Sequence, residues 1–174
     1  VFVGLSLMYQ AILDHPRRRE FDLSNLRTCI YTMAPMGRPL LERAMADMCP
    51  NFVLSSGQTE MYPATTMSQP DRQLERFGNY WGESLIVNET AIMDDNGNLL
   101  PRGQVGELVH RGPNVMMGYY KDPKATEEAR KFGWHHTGDL ALIDEHGEVL
   151  FLDRKKDMIK SGGENVASVK IEET

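Results

Sequence analysis

Thr137-Gly138-Asp139 and, fourteen residues after Asp139, the run Asp153-Arg-Lys-Lys-Asp-Met-Ile-Lys-Ser-Gly-Gly163 decide how this chain is read. The first is a small-residue turn that ends on a fixed carboxylate. The second is a dense basic cluster that opens into a glycine pair. Upstream lies Ser55-Ser-Gly-Gln-Thr-Glu60, a hydroxyl- and glycine-rich loop ending in another carboxylate. A nucleotide requires these chemistries. A carboxylate accepts from both ribose hydroxyls, a threonine hydroxyl and backbone N–H groups hold a phosphate, and a second carboxylate shares Mg²⁺ with the phosphates.

Outward from these stretches the chain changes texture. Phe2, Leu5, Met8, Tyr9, Ile12 and Leu13 recur at helical spacing until Pro16, so the chain opens in what reads as a helix. Residues 27–33 read as a buried strand, and Pro39 opens a second helix with Leu40, Leu41, Ala44, Met45 and Met48 on one face. A short strand, Phe52-Val-Leu54, then runs into the Ser-Gly loop. Helix and strand alternate, as in α/β folds, whose ligands bind at loops leaving strand ends. From Ser84 to Leu152 short strands and tight turns take over. Ala91-Ile-Met-Asp-Asp-Asn-Gly97 is echoed by Ala141-Leu-Ile-Asp-Glu-His-Gly147, each with Asp, two polar residues and Gly between apolar runs. That is hairpin chemistry with positive φ at the glycine, shared by two turns without an internal repeat. Residues 123–131 read as a short helix between strands. The fold class expected is α/β plus β: a partial α/β nucleotide-binding subdomain over 1–74, a β-rich distorted barrel over 75–152, and the start of a small α+β domain from 153 to 174.

Composition narrows the partners. Hydrophobic content of 41% and charged content of 25% over 174 residues are those of an ordinary globular protein. The net charge of −6 argues against a nucleic-acid partner, so phosphate recognition must be local. Cys29 and Cys49 lack metal-ligand spacing and read as reduced thiols of a cytoplasmic protein. No apolar run reaches membrane-spanning length. The chain begins at Val1 and stops in a charged segment at Thr174, and reads as an internal fragment of a longer protein.

The three motifs, in this order, resemble those of the adenylate-forming superfamily of acyl-CoA synthetases, aryl-CoA ligases, luciferases and nonribosomal adenylation domains. The likeness is dense over residues 107–172 and looser over 1–70. It implies ATP/AMP, Mg²⁺ and coenzyme A as cofactors and a fatty or aromatic carboxylic acid as substrate. Glu60 alone would read as a helix N-terminal residue; the resemblance makes it the Mg²⁺ carboxylate and Thr59 the α-phosphate contact, both catalytic. Ala34 and Pro35, in Thr32-Met-Ala-Pro-Met36, match a segment whose backbone lies against adenine in the family, although a plain strand-to-helix turn explains them as well. Asp139 reads either as a turn cap or, by resemblance, as the ribose acceptor, with Arg154 approaching the same sugar. Lys156 falls at the family's hinge, while Lys155, Lys156 and Lys160 also suit a solvated basic turn. Gly162 and Gly163 match a hairpin lining the pantetheine tunnel of coenzyme A ligases. Ser56, before Gly57 of the adenine-side loop, stands where the family has a stacking aromatic. The adjacent His135 and His136 point apart on a strand and do not suggest a metal site. The family's phosphate loop and catalytic lysine fall outside this sequence. An acyl-CoA synthetase is the reading adopted. A carrier-loading adenylation domain, a luciferase-like enzyme and a non-catalytic nucleotide-binding module are the alternatives.

Overall fold

The computed structural model describes residues 1–32, 36–76 and 79–156, and the backbone of 159–161 and 164–166. Its strands are β1 (Phe2–Gly4), β2 (Cys29–Thr32), β3 (Phe52–Gln58), β4 (Met61–Met67), β5 (Tyr80–Ser84), β6 (Glu89–Met93), β7 (Gly106–Arg111), β8 (His135–Ile143), β9 (Val149–Arg154), β10 (Ile159–Ser161) and β11 (Glu164–Val166). Among the described residues three α-helices accompany them: α1 (Ser6–Asp14), α2 (Arg38–Asp47) and α3 (Pro123–Glu128). The first nine strands form one mixed sheet in the order β1-β2-β3-β4-β5-β9-β8-β7-β6, and β10 pairs antiparallel with β11 apart from it.

At one end β1, β2 and β3 are parallel, with α1 and α2 as crossovers. The opening residues are a strand, where helical spacing suggested helix. Phe2 to Gly4 pair with Cys29 to Tyr31, and the helix starts only after Leu5. The spacing misleads because strand and helix bury side chains in the same core. Phe2 meets Tyr9 edge-to-face at 5.3 Å, and the Tyr9 hydroxyl donates to the Ile30 carbonyl at 2.8 Å. α1 stops where His15 turns extended before Pro16, as the restricted backbone preceding a proline requires. α2 carries Pro39 in its first turn, where the missing N–H has no intrahelical partner to lose, and buries Leu41 and Ala44. Tyr9, Leu13, Cys29, Tyr31, Leu41 and Phe52 make this core, each large side chain contributing about 1.5–3 kcal/mol by burial.

β5 joins that end to the antiparallel remainder. It pairs with β4 through Thr66↔Ser84 and with β9 through Tyr80↔Leu150 and Gly82↔Val149. Gly82 sits at φ +83°, and a Cβ there would lie 2.1 Å from the Met67 carbonyl carbon, so only glycine allows β5 to lie against β4. The run β5-β9-β8-β7-β6 curls back on itself. Three strands separate β6 from β5 in the sheet, yet β6 follows β5 after only residues 85–88. Side chains close the seam: Thr90 Oγ1 donates to Ser84 Oγ at 2.8 Å, and Asn88 Nδ2 to the Thr65 carbonyl at 3.1 Å. No β5–β6 ladder is present among the described residues, so the barrel is incomplete. Inside it Ile92, Leu108, Ala141 and Val149 pack together, and Trp81 stacks on Phe151 at 4.5 Å. Both anticipated hairpin turns form. Asp94 and Asp144 each accept backbone N–H groups from the residues two and four further on, with Gly97 at φ +87° and Gly147 at φ +88°.

Candidate functional site

The site forms where the end of β3 faces the Thr137-Gly-Asp139 turn of β8. Residues 55–58 are strand, where the sequence suggested loop, and the turn shrinks to Thr59 and Glu60. The hydroxyls pair across strands: Ser55 Oγ donates to the Thr66 carbonyl at 3.3 Å, and Ser56 Oγ lies 2.6 Å from Thr66 Oγ1. The ladder shifts register between Ser56 and Gln58, and Gly57 lets the backbones meet there. A Cβ on Gly57 would stand 3.1 Å from the Ala64 Cα. A cleft of about 550 Å³ opens along this edge, lined among others by Ser56, Thr59, Glu60, Tyr62, Thr137 and Arg154. A smaller cavity of about 230 Å³ shares Ser56, Gly57, Gln58, Thr137 and Arg154 and reaches Asp139, Trp81 and His110.

Asp139 is buried in the wall between them. Thr137 Oγ1 donates to the Leu108 carbonyl at 2.8 Å and accepts from the Asp139 N–H at 3.0 Å, which fixes the turn around Gly138 at φ +74°. Asp139 and Arg154 are cross-strand partners, and Arg154 Nε lies 3.0 Å from Asp139 Oδ1. That approach neutralises charge without hydrogen-bond geometry, so Oδ1 accepts no hydrogen bond within the protein. Oδ2 accepts from Gln58 Nε2 at 3.3 Å. Burial pushes the Asp139 carboxyl above its ordinary value, and Arg154, Thr137 and Gln58 pull against that rise. A buried carboxylate bordering the smaller cavity, with one oxygen that accepts no hydrogen bond among the described residues, suits a ligand offering hydroxyl donors.

Gln58 ties the two sides together. Its Nε2 also donates to the Thr137 carbonyl at 3.0 Å, and its Oε1 lies 2.9 Å from His135 Nε2, so that ring nitrogen carries the proton. Burial lowers the His135 pKa, and its β7 neighbour His110 drops to about 3, so both rings are neutral. His136 faces the other way, 3.1 Å from Glu107 Oε2. The two histidines therefore point apart as expected, and no cluster of three His, Cys, Asp or Glu suited to a metal occurs among the described residues.

Glu107 organises the contacts at the end of β9. It accepts from the Gly138 N–H at 3.1 Å and from Lys155 Nζ at 3.0 Å. Burial alone would raise its pKa, but hydrogen bonds from His136 and Lys155 outweigh burial and hold the carboxyl below its usual value. Lys155 also reaches Asp95 at 2.7 Å, and its N–H donates to the Gly138 carbonyl at 2.8 Å. It is thus a strut, where the sequence allowed a solvated basic turn. Lys156 follows it, exposed. Glu60 borders the larger cleft on the far side, where Oε1 accepts from the Tyr119 hydroxyl at 2.8 Å. Ala34, Pro35, Gly162 and Gly163 lie outside the described residues.

The structure therefore groups Ser56, Gly57, Thr59, Glu60 and Arg154 around one cleft, with Asp139 in its wall. Sequence reading missed Gln58, His135, Glu107, Lys155 and Tyr119. Gln58 stood inside the quoted motif. Lys155 stood inside the other quoted run and His135 two residues before Thr137, while Glu107 and Tyr119 are distant in sequence and only the fold brings them in.

The fold is that of an adenylate-forming enzyme. It matches O-succinylbenzoate coenzyme A synthetase from Bacillus subtilis, solved with ATP and magnesium ion, at a TM-score of 0.85 and 29% identity, covering 98% of this chain and 35% of that one. It also matches an amide bond synthetase from Marinactinospora thermotolerans at a TM-score of 0.83 and 31% identity, over 97% and 34% of the two chains. The family model described as "AMP-binding enzyme" matches residues 1–120, and the chain belongs to that family. Feruloyl-CoA synthase of an Amycolatopsis species is 40% identical over 97% of this chain and 34% of its own length. A long-chain-fatty-acid–CoA ligase of Escherichia coli is 34% identical over 98% and 30%. The chain thus spans about a third of the length of these curated relatives.

Proposed function

We propose that this chain is the nucleotide-holding part of an ATP-dependent acid–thiol ligase of the relatives' length, hereafter the full-length enzyme. In that reaction a carboxylate oxygen of the acid attacks the α-phosphorus of ATP, the bond to pyrophosphate breaks, and acyl-AMP forms. The thiol sulfur of coenzyme A then bonds to the acyl carbon as AMP leaves. Asp139 accepts from the ribose hydroxyls, Arg154 adds positive charge beside the same sugar, and Thr59 donates to the α-phosphate. Glu60 holds Mg²⁺, which when bound spreads the phosphate charge. A single carboxylate at the cleft edge suits a cation that takes most of its ligands from phosphates and water. The protein's part is positioning and charge stabilisation.

The observation that carries this reading is the buried Asp139 carboxylate, ion-paired with Arg154 and accepting no hydrogen bond at Oδ1 among the described residues, in a chain similar along almost its whole length to coenzyme A ligases. The acid is aromatic or fatty, two of the classes named among the relatives. The full-length enzyme should exchange pyrophosphate into ATP only when a suitable aromatic or long-chain fatty acid is present. It should then release AMP only on addition of coenzyme A. Absence of acid-dependent exchange would overturn the proposal. Exchange with discharge to an amine in place of coenzyme A would move the enzyme toward the amide bond synthetase.

Ser56 supplies no ring to an adenine, and its hydroxyl is engaged with Thr66. Tyr62 lines the same cleft but is 79% exposed. Ser56→Tyr in the full-length enzyme should therefore tighten AMP by about fivefold, the low end of base–aromatic stacking. Calorimetric titration checks this; unchanged or weaker binding would show that the base is already covered.

A further inference from the structure

We infer that Tyr119 is a positioning residue for metal use: its hydroxyl pins Glu60 Oε1 and leaves Oε2 to the cation. This rests on the reading of Glu60 as the Mg²⁺ carboxylate. The Tyr119 hydroxyl donates to Oε1 at 2.8 Å, while Oε2 makes no hydrogen bond or ion pair with any described residue. A carboxylate on a flexible side chain samples several rotamers and can take a cation through one oxygen or both. Holding one oxygen fixes the rotamer and leaves the other as a single, aimed ligand.

Tyr119 is itself braced from both sides. Its N–H donates to Thr126 Oγ1 at 2.9 Å, and that hydroxyl donates to the Asp122 carbonyl at 2.8 Å. Asp122 caps α3 by accepting from the Ala125 N–H at 2.9 Å. Gly118, at φ +152°, packs so closely on Thr126 that a Cβ would lie 2.8 Å from its Cγ2. On the other side the Met116 N–H donates to the Glu60 carbonyl at 2.7 Å, Met61 bridges Val115, and Arg130 holds the Met116 carbonyl. Main chain and side chain of Glu60 are therefore both anchored to the segment that carries Tyr119. A brace of this size, aimed at one oxygen of a carboxylate otherwise unpaired among the described residues, has little to hold except that oxygen's geometry.

The test titrates Mg²⁺ against acid-dependent pyrophosphate exchange in the full-length enzyme and in the variants Y119F, E60Q and Y119F/E60Q. Y119F should raise the half-maximal Mg²⁺ concentration about three- to tenfold, within what a hydrogen bond to a charged group supports. It should leave the rate at saturating Mg²⁺ close to wild type. E60Q should shift the curve further, and the double variant should match E60Q, because the phenol then has no carboxylate to aim. A Y119F curve superimposed on wild type, with E60Q shifted, would overturn the inference and leave the Glu60 assignment standing. Additive shifts in the double variant would also overturn it. An unshifted E60Q curve would instead remove the metal assignment on which the inference rests. Should circular dichroism show Y119F unfolded, T126A, which removes the acceptor of the Tyr119 N–H, carries the same test. A rightward Mg²⁺ shift supports the inference, and none overturns it.

Discussion

Asp139→Ala in the full-length enzyme is expected to weaken ATP binding on the order of a hundredfold, the effect of losing one to two hydrogen bonds to a charged acceptor. The substitution removes the buried carboxylate whose Oδ1 accepts nothing from the protein, and leaves Arg154 beside an apolar stub. Asp139→Asn separates this from damage to the fold. Burial holds the Asp139 pKa above its ordinary value. A raised carboxyl pKa contributes stability that is fully present below the unfolded pKa and is lost as pH rises through the folded one. At neutral pH the ionised group therefore works against folding. Asn should keep or raise the melting temperature while ATP affinity falls. For the same reason wild-type affinity should decline as pH drops through that raised value, because protonated Asp139 loses its strongest acceptor character. Equilibrium binding of a non-hydrolysable ATP analogue, beside thermal melts, measures both. Wild-type affinity in the alanine variant would reduce Asp139 to a turn cap.

Lys156→Pro is expected to separate the two half-reactions. The Lys155 backbone is tied to Gly138 and its side chain to Asp95 and Glu107, so a rotation at this point has to begin beyond it. Lys156 is the next residue, and proline fixes its φ near −65° without altering Asp139, Arg154 or Glu60. Adenylate formation should survive. Transfer to coenzyme A should fall about a hundredfold, the scale of loss when reacting groups are misplaced by an ångström. Single-turnover reaction of preformed acyl-adenylate with coenzyme A reads the second step alone, and Lys156→Ala, which leaves φ free, is the control. An equal fall in both steps would show that the substitution disturbs the nucleotide site and that the hinge lies elsewhere.

Local chemistry carried most of what the sequence revealed. Pro39 and the Asp-to-Gly turns of residues 94–97 and 144–147 each act within a few residues, and each formed where its chemistry required. Phe2 to Gly4 were misread because apolar spacing reports that side chains are buried, not which backbone carries them. Ser55 to Gln58 looked like loop because their polar atoms are satisfied across the strand, by Thr66 and by the turn of β8, and not by water. The motifs singled out Asp139, Arg154 and Glu60, which the structure brings to two neighbouring cavities. Lys155 and Tyr119 were not legible as a strut and a brace. Their partners lie 48 and 59 residues away, so no local pattern marks them.

Gln58 and Asp139 stand 81 residues apart in sequence, and one amide joins them. Closing a loop of that length from the unfolded chain costs about 4 kcal/mol in entropy. The three hydrogen bonds of the Gln58 amide return about 0.5–1.5 kcal/mol each, so by themselves they roughly break even. The two walls of the cleft are therefore not held together by the residues that line it. Their meeting depends on β5, where a glycine that touches no ligand residue lets the strand lie between β4 and β9. A chain that lost the fit at Gly82 would keep every residue of the site and have no site.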